Sequence, residues 1–473
     1  MNTNFGLFDI SGRIRNYFAG IVRDVFMGVA DDPRKLQGAK ATLYRNGWQV
    51  APLVVRPGQS DDNIVMNMIG LVVSRTVSLL FGDGVKFDLD GKGESAADEW
   101  LADALKANRQ SELLHDLGEY GALNGTIAVQ FIPDGLARAG QLYPKVLTVN
   151  PQYLTILTNP HDYTDVNGYR IEYQVQEPND RMRNFRRDIL RQRAPAVDGE
   201  AGVDAPTFWT ITDYLEADNG VMEQVSEMRW DKPWAPLLAG KNLPKAGSAY
   251  GSPDVTDDVL HLQDKINLVV SNGNKVVRLQ AHQRLWGRFL GKVQELVSGP
   301  GNILNIENEK GHVEAVPAGG DIAGILSFKG ALSEALFSVS RSMDPAVAKD
   351  RIGQLTNFGL RVLYKDSIDK LKTKRELYGE FLEEMVLHLL ELGGYRADTV
   401  MVLWADPLPV DGSERNENDQ FELDNKIVSR ETVQKRRNVD PAEENLRIEG
   451  DALSDSATSD NVGRALLKNF SKG

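Results

Sequence analysis

The sequence predicts an α+β protein in which long helices carry much of the length and short antiparallel strands are set between them. Three observations lead there. Between Tyr143 and Thr212, short apolar-alternating segments such as Lys145-Val146-Leu147-Thr148-Val149 and Tyr169-Arg170-Ile171-Glu172-Tyr173 are separated by turn signals at Asn150-Pro151, Asn159-Pro160 and Asn167-Gly168. From Asp254 onward, Val255, Val259, Leu262, Ile266, Val269 and Val276 recur at spacings of four and three, with Gly273 at the one skipped position. Two further helical patterns, Asp321 to Ser342 and Phe358 to Leu392, flank a charged segment, Met343 to Asn357, that holds Asp344, Lys349, Asp350 and Arg351.

Composition narrows the class. A chain of 473 residues exceeds the size at which one hydrophobic core stops growing, so more than one core, or an elongated multi-segment subunit, is expected. The net charge of -13 argues against a protein that grips nucleic acid with its whole surface, and leaves room for one that handles DNA without holding it. The chain has no cysteine, which removes disulfides, thiolate metal sites and cysteine nucleophiles. Near the N-terminus Ile10, Ile14, Phe18, Ile21 and Val25 follow helical spacing, with Arg13, Arg15 and Arg23 between them, unlike an export signal. No run is read as approaching the roughly 20 apolar residues of a membrane span, so a soluble chain is expected.

The elements follow in order. Ile64 to Phe81 is an apolar helix stopped by Phe81-Gly82-Asp83-Gly84, and Val85 to Asp90 alternates as a half-buried strand. Glu94 to Leu105 and Glu112 to Leu123 are helices, and Thr126 to Ile132 a strand. Arg181 to Arg193 holds six arginines and, with the small, acidic stretch after it, reads as a surface excursion or mobile loop. Either it is a solvated arm, or it touches scaffold, a neighbouring subunit or DNA.

Ser252-Pro253-Asp254 suits a helix start, and the rod that follows places Asp257, Asp258, Gln263, Asp264, Lys265, Asn267, Asn272 and Asn274 off its apolar seam, which neighbours must cover. Ile303 to Ile306 and His312 to Val316 are strands around the turn Glu309-Lys310-Gly311. The third rod, Phe358 to Leu392, aligns Leu360, Tyr364, Ser367, Leu371, Tyr378, Leu382, Met385 and Leu389. Thr399 to Trp404 is a strand, Glu414 to Asn425 and Ser429 to Arg437 short helices, and the Ser/Asp-rich tail from Gly450 to Asp460 has the composition of a disordered segment. Val462 to Phe470 has the pattern of a small basic helix.

Catalytic chemistry is hard to find in these residues. The pairs Gly91-Lys92, Gly240-Lys241 and Gly291-Lys292 are not followed by Ser or Thr, so no Walker-type phosphate loop occurs. The glycines from Gly118 to Gly125 match neither a dinucleotide fingerprint nor a kinase loop and read as a helix-to-strand turn. No two histidines lie three to five residues apart, and the doublets Asp257-Asp258 and Glu383-Glu384 point to different sides of a helix. No catalytic residue, metal or cofactor is expected.

The order of these elements resembles the portal proteins of tailed bacteriophages, the head-tail connectors, from about Asn63 to Glu449. The motifs that carry the resemblance are the Gly-turn Phe81 to Gly84, the helix-to-strand step Leu123 to Ala128, the helix with Leu262-Gln263-Asp264 and Ser271-Asn272, and the long helix after the charged loop. The break from Leu403 to Pro409 followed by Ile427 to Thr432 fits the closing segment. The resemblance implies a wing at 1–253, a first stem helix at 254–284, a clip at 285–320 and a second stem helix at 321–342. It further implies a tunnel loop at 343–357, a long wing helix and return strand at 358–410, a helical crown at 411–449 and a disordered tail at 450–473.

On that resemblance the loop residues Lys349, Asp350, Arg351 and Asn357 face a DNA channel, Arg288, Lys292 and Lys310 are clip contacts, and the seam packs between subunits. It implies a homo-oligomeric ring, twelve copies in the family, at a capsid vertex of the virion, assembled in the host cytoplasm. The implied partners are double-stranded DNA, the terminase motor, a head-tail adaptor, and the major capsid and scaffolding proteins, with no membrane. Two other classes compete: a non-enzymatic helical scaffold or adaptor without a channel, and a hydrolase.

Overall fold

Asp32 accepts a hydrogen bond from the backbone N–H of Arg34 at 3.0 Å and Pro33 follows it, so helix α1 (Pro33–Arg45) begins with a side-chain cap and a pre-set backbone angle. The computed structural model describes residues 32–48, 63–82, 84–90, 96–138, 140–176, 182–193, 207–281, 285–288, 310, 312–315, 321–344, 359, 361–362, 364–405, 412–436, 444–445 and 447. The expected N-terminal amphipathic segment, the strand at 303–306 and the tail from 450 lie outside them. Helix makes up 47% and strand 30%, which places the chain in the mixed α+β class.

Helix α2 (Met68–Phe81) starts later than its apolar pattern suggests, because 63–67 is extended; Asn67 caps it through Gly70 N–H at 2.7 Å. Strand β1 (Val85–Leu89) follows, then α3 (Ala96–Ala107) and α4 (Gln110–Asn124). Gly125 ends α4 in the left-handed region at φ 78°, where a Cβ would come 2.5 Å from the Gly251 carbonyl oxygen, so the turn into β2 (Thr126–Arg138) requires glycine. The Gly118 to Gly125 stretch is therefore a helix-to-strand step.

Strands β2, β3 (Gln141–Thr148) and β9 (Leu237–Lys241) form an antiparallel sheet in the order β3-β2-β9. A second sheet is an antiparallel meander of β4 (Leu154–Asn159), β5 (Asp162–Gln176), β6 (Met182–Arg193), β7 (Thr207–Glu216) and β8 (Met222–Trp230). The arginine-rich segment is thus the central strand β6, not an excursion. Carboxylates account for this, most of them cross-strand: Arg187 pairs with Asp213 on β7 at 2.6 Å, Arg191 reaches Asp165 on β5 at 2.7 Å, and the buried Asp188 of β6 is flanked at 2.8 Å each by Arg170 from β5 and by Arg186 of its own strand. Opposite charges on facing strand positions stabilise a sheet where a run read along the chain suggests a solvated arm.

Helix α5 (Asp257–Ala281) leads into the antiparallel pair β10 (Leu285–Arg288) and β11 (His312–Ala315), and α6 (Ile322–Ser340) returns. β11 therefore pairs with 285–288. Helices α5 and α6 pack on each other; a Cβ at Gly273 would meet Ile325 at 3.1 Å, so the position skipped in the apolar spacing is where the two approach closely. The long helix α7 (Lys365–Leu392) buries Leu371, Tyr378, Leu382, Met385 and Leu389, and β12 (Val400–Trp404) pairs antiparallel with β1.

One core runs through α2, α3, α4, both larger sheets, the start of α5, the end of α6 and α7. The chain divides into two units, one drawn from Met1–Leu355 and Gly359–Ala405, the other from Thr356–Phe358 and Asp406–Gly473. In the second, α8 (Gly412–Asp424) and α9 (Arg430–Arg436) border an open groove of about 880 Å³, and Ser429 caps α9 through Thr432 N–H at 3.2 Å.

Candidate functional site

Lys349, Asp350, Arg351 and Asn357 of the charged loop, and Lys292 of the β insertion, lie outside the described residues. Arg288 closes β10 opposite His312, and Lys310 precedes β11; both are exposed. The site that can be built is the root of the loop, where α6 ends and α7 begins.

Three elements meet there at a buried carboxylate. Asp254, just before α5, receives Lys370 at 2.6 Å and Lys374 at 2.5 Å, two ammonium groups one turn apart on α7. Lys370 also donates to the Ser340 carbonyl at 2.7 Å, at the last residue of α6. The start of α5 and the end of α6 are therefore held together, so the two helices run antiparallel.

Burial alone would push the Asp254 carboxyl up, but Lys370 and Lys374 outweigh it and hold it at about 2. Burial lowers Lys374 to about 8, with Asp254 opposing and Lys370 adding to the shift. One carboxylate cannot satisfy two ammonium groups in a low-dielectric site. Behind them the Tyr378 hydroxyl donates to the Leu117 carbonyl at 3.3 Å and Asn242 Oδ1 at 3.1 Å, and Asn242 Nδ2 donates to the Ser252 carbonyl at 3.0 Å. A Cβ at Gly121 would sit 2.0 Å from that hydroxyl, so the glycine makes room for this network.

The chain entering the loop is tied down as well. Arg341 caps α6 in the left-handed region at φ 48°, and the Ser367 hydroxyl donates to its carbonyl at 3.0 Å. Arg75 donates to the Met343 carbonyl at 2.7 Å and lies over the Phe337 ring. These contacts tie the end of α6 and the residues up to Met343 to α2 and α7.

The apolar seam divides. Val255, Val259 and Ile266 are fully covered inside the subunit and Leu262, Val269 and Val276 are half-buried, which corrects the expectation that a lone subunit leaves the seam bare. The polar side chains assigned to open faces are partly misplaced too: Gln263 and Asn267 are buried with Ser271. These three, four residues apart, form a ladder against the extended 63–67 segment. Ser271 Oγ accepts from Ile64 N–H at 3.0 Å, Asn267 Oδ1 from Met66 N–H at 2.9 Å, and Gln263 Oε1 from Met68 N–H at 3.0 Å.

What remains uncovered is α6. Leu326, Phe328 and Val339 are 63%, 55% and 49% exposed, and Leu268 and Val277 on α5 are exposed as well. Mostly unburied, α6 is long and apolar enough to cross a membrane by length and composition. This corrects the reading that no stretch approaches that size; Lys329 and Glu334 interrupt the run without lowering its mean enough.

Sequence reading missed Asp254, Lys370 and Lys374 as a site. A signal was present: Lys374 falls between Leu371 and Tyr378 on the apolar face of α7, where a lysine has to be buried. Among the described residues no group of three or more His, Asp or Glu is placed to hold a metal ion. His388 stacks on Trp234 at 3.9 Å, and burial lowers it to about 4 against the pull of Glu391. No protein-family model matches the chain, and no curated protein matches it.

Proposed function

We propose that the chain is the subunit of a portal ring of a tailed bacteriophage, a closed homo-oligomer at a capsid vertex through which double-stranded DNA is packaged and ejected. The observation that carries this reading is that α6, held antiparallel to α5 around a two-stranded insertion, exposes the apolar side chains Leu326, Phe328 and Val339 on more than one side of the helix. Large apolar side chains left exposed along one helix call for a partner. In a ring each subunit offers one surface to the next and a different one to the previous, and the exposed α6 face against Leu268 and Val277 of a neighbour satisfies that requirement.

Lipid fits this face less well. The companion helix α5 exposes Asp257, Asp258, Lys265 and Arg278, which a bilayer would reject.

In this reading the anchored root holds the 343–357 loop toward the channel, and Lys349 and Arg351 give a shallow, salt-screened contact with DNA in an otherwise acidic ring. The β10–β11 insertion, with Arg288 and Lys310, meets the packaging motor and later the head-tail adaptor. In a packaging reaction, Lys349→Glu with Arg351→Glu should lower the amount of DNA packaged while leaving ring assembly intact. Undiminished packaging would remove these two residues from the mechanism.

A further inference from the structure

The root of the loop contains a small pocket of about 20 Å³, lined among others by Arg75, Thr76, Ser342, Ser367, Lys370 and Lys374. Its charge does not balance. Lys370 and Lys374, 5% and 1% exposed, share the single carboxylate of Asp254. Arg75, a third cation on the wall, donates to the Met343 carbonyl and has Asp344 as its facing carboxylate, so Asp344 does not offset the two lysines. Among the described residues one positive charge is left over in this buried site, beside an opening.

A second observation points the same way. Ser342 Oγ is buried on the pocket wall and makes no hydrogen bond. An unmet buried hydroxyl beside surplus ammonium donors is the donor set of an anion site.

We propose that this pocket binds a monatomic anion, chloride, between Lys374, Arg75 and the Ser342 hydroxyl. The size selects the class: a space comparable to that of about one water excludes phosphate, sulfate and carboxylates. Water would fit but would leave the surplus charge uncompensated. The anion would join α2, the end of α6 and α7 where the loop leaves the subunit, so the inference is independent of what the loop faces. The competing resolution is loss of the Lys374 proton. Asp254, Lys370, Arg75, Arg341 and Tyr378 are the other titratable groups around it, and no anion is then needed.

The test is the melting temperature of the full chain at neutral pH in sodium chloride and in sodium gluconate at matched ionic strength. Chloride should raise it by the order of 2 °C, as expected for a ligand that binds only the folded state. Lys374→Met, which leaves Asp254 and Lys370 paired one to one, should abolish the difference. Ser342→Ala, which changes no charge, should reduce it. Equal melting temperatures in the two salts, or an undiminished difference in both variants, would overturn the site. If Lys374→Met does not fold, crystals grown in bromide decide: an anomalous peak between Lys374 and Ser342 supports the proposal, and an empty pocket refutes it.

Discussion

Asp254 is the residue on which the most contacts depend, since it joins the start of α5 to α7 through two lysines and stands next to the Tyr378 and Asn242 network. Removing one partner of a buried ion pair leaves charge stranded, at a cost of about 3–5 kcal/mol. Asp254→Asn should therefore lower the free energy of unfolding by that order in denaturant titration. Its acid dependence has a definite sign. The carboxyl titrates near 2 when folded, below its ordinary 3.8, so its contribution is complete above 3.8 and is lost as pH falls toward 2. His388 acts earlier. Buried between Trp234 and Phe131 and brought down to about 4 from an ordinary 6.5, it favours the folded state fully above 6.5, and the benefit falls away as pH drops toward 4. At 1.36 kcal/mol per pH unit the loss is at most about 3–4 kcal/mol, and less for a ring that is not fully enclosed. His388→Phe should keep the stacking and flatten the stability profile between pH 6.5 and 4, read from melting temperature against pH.

At the scale of elements, the ladder of Gln263, Asn267 and Ser271 holds an extended segment by its backbone alone. Gln263→Ala removes the side-chain acceptor of the Met68 and Ile69 N–H groups and the donor to the Met66 carbonyl; Met68 N–H keeps its 3.0 Å bond to Met66, while a buried group left unmet costs about 1–3 kcal/mol. Faster amide exchange at 64–69, with the rest of the subunit protected, is the expected result. The same ladder shows where sequence reading stops. Periodicity placed helices over 68–81, 110–124 and 257–281 to within a few residues, because each buries an apolar stripe at helical spacing; the helix expected from Phe358 starts as α7 at Lys365, with Tyr364 as its cap, and ends at Leu392 as expected. It could not say that an amide stripe four residues apart would be buried, since the segment that buries it lies some 200 positions away in the chain. The arginines of β6 were misread for a related reason: their carboxylate partners Asp165 and Asp213 sit on other strands. The carboxylate–lysine cluster was legible only in part, as Lys374 within an apolar face, while its partner lay before a different helix.

For the whole molecule, the account rests on one imbalance: the folded subunit covers half of the predicted seam by itself and leaves apolar side chains of α6 exposed away from its contact with α5. An exposed apolar helix beside a charged one is a poor end state for a single chain in water. In the proposed ring, neighbouring copies would relieve it through one non-symmetric contact repeated with a rotation that closes. The measurement that tests this most directly is the mass of the purified chain in dilute neutral buffer by native mass spectrometry, together with Leu326→Asp. The account predicts a closed ring of about a dozen subunits that falls to lower mass when a carboxylate is placed in the α6 face. A wild-type chain that stays monomeric, with Leu326→Asp indistinguishable from it, would contradict the account.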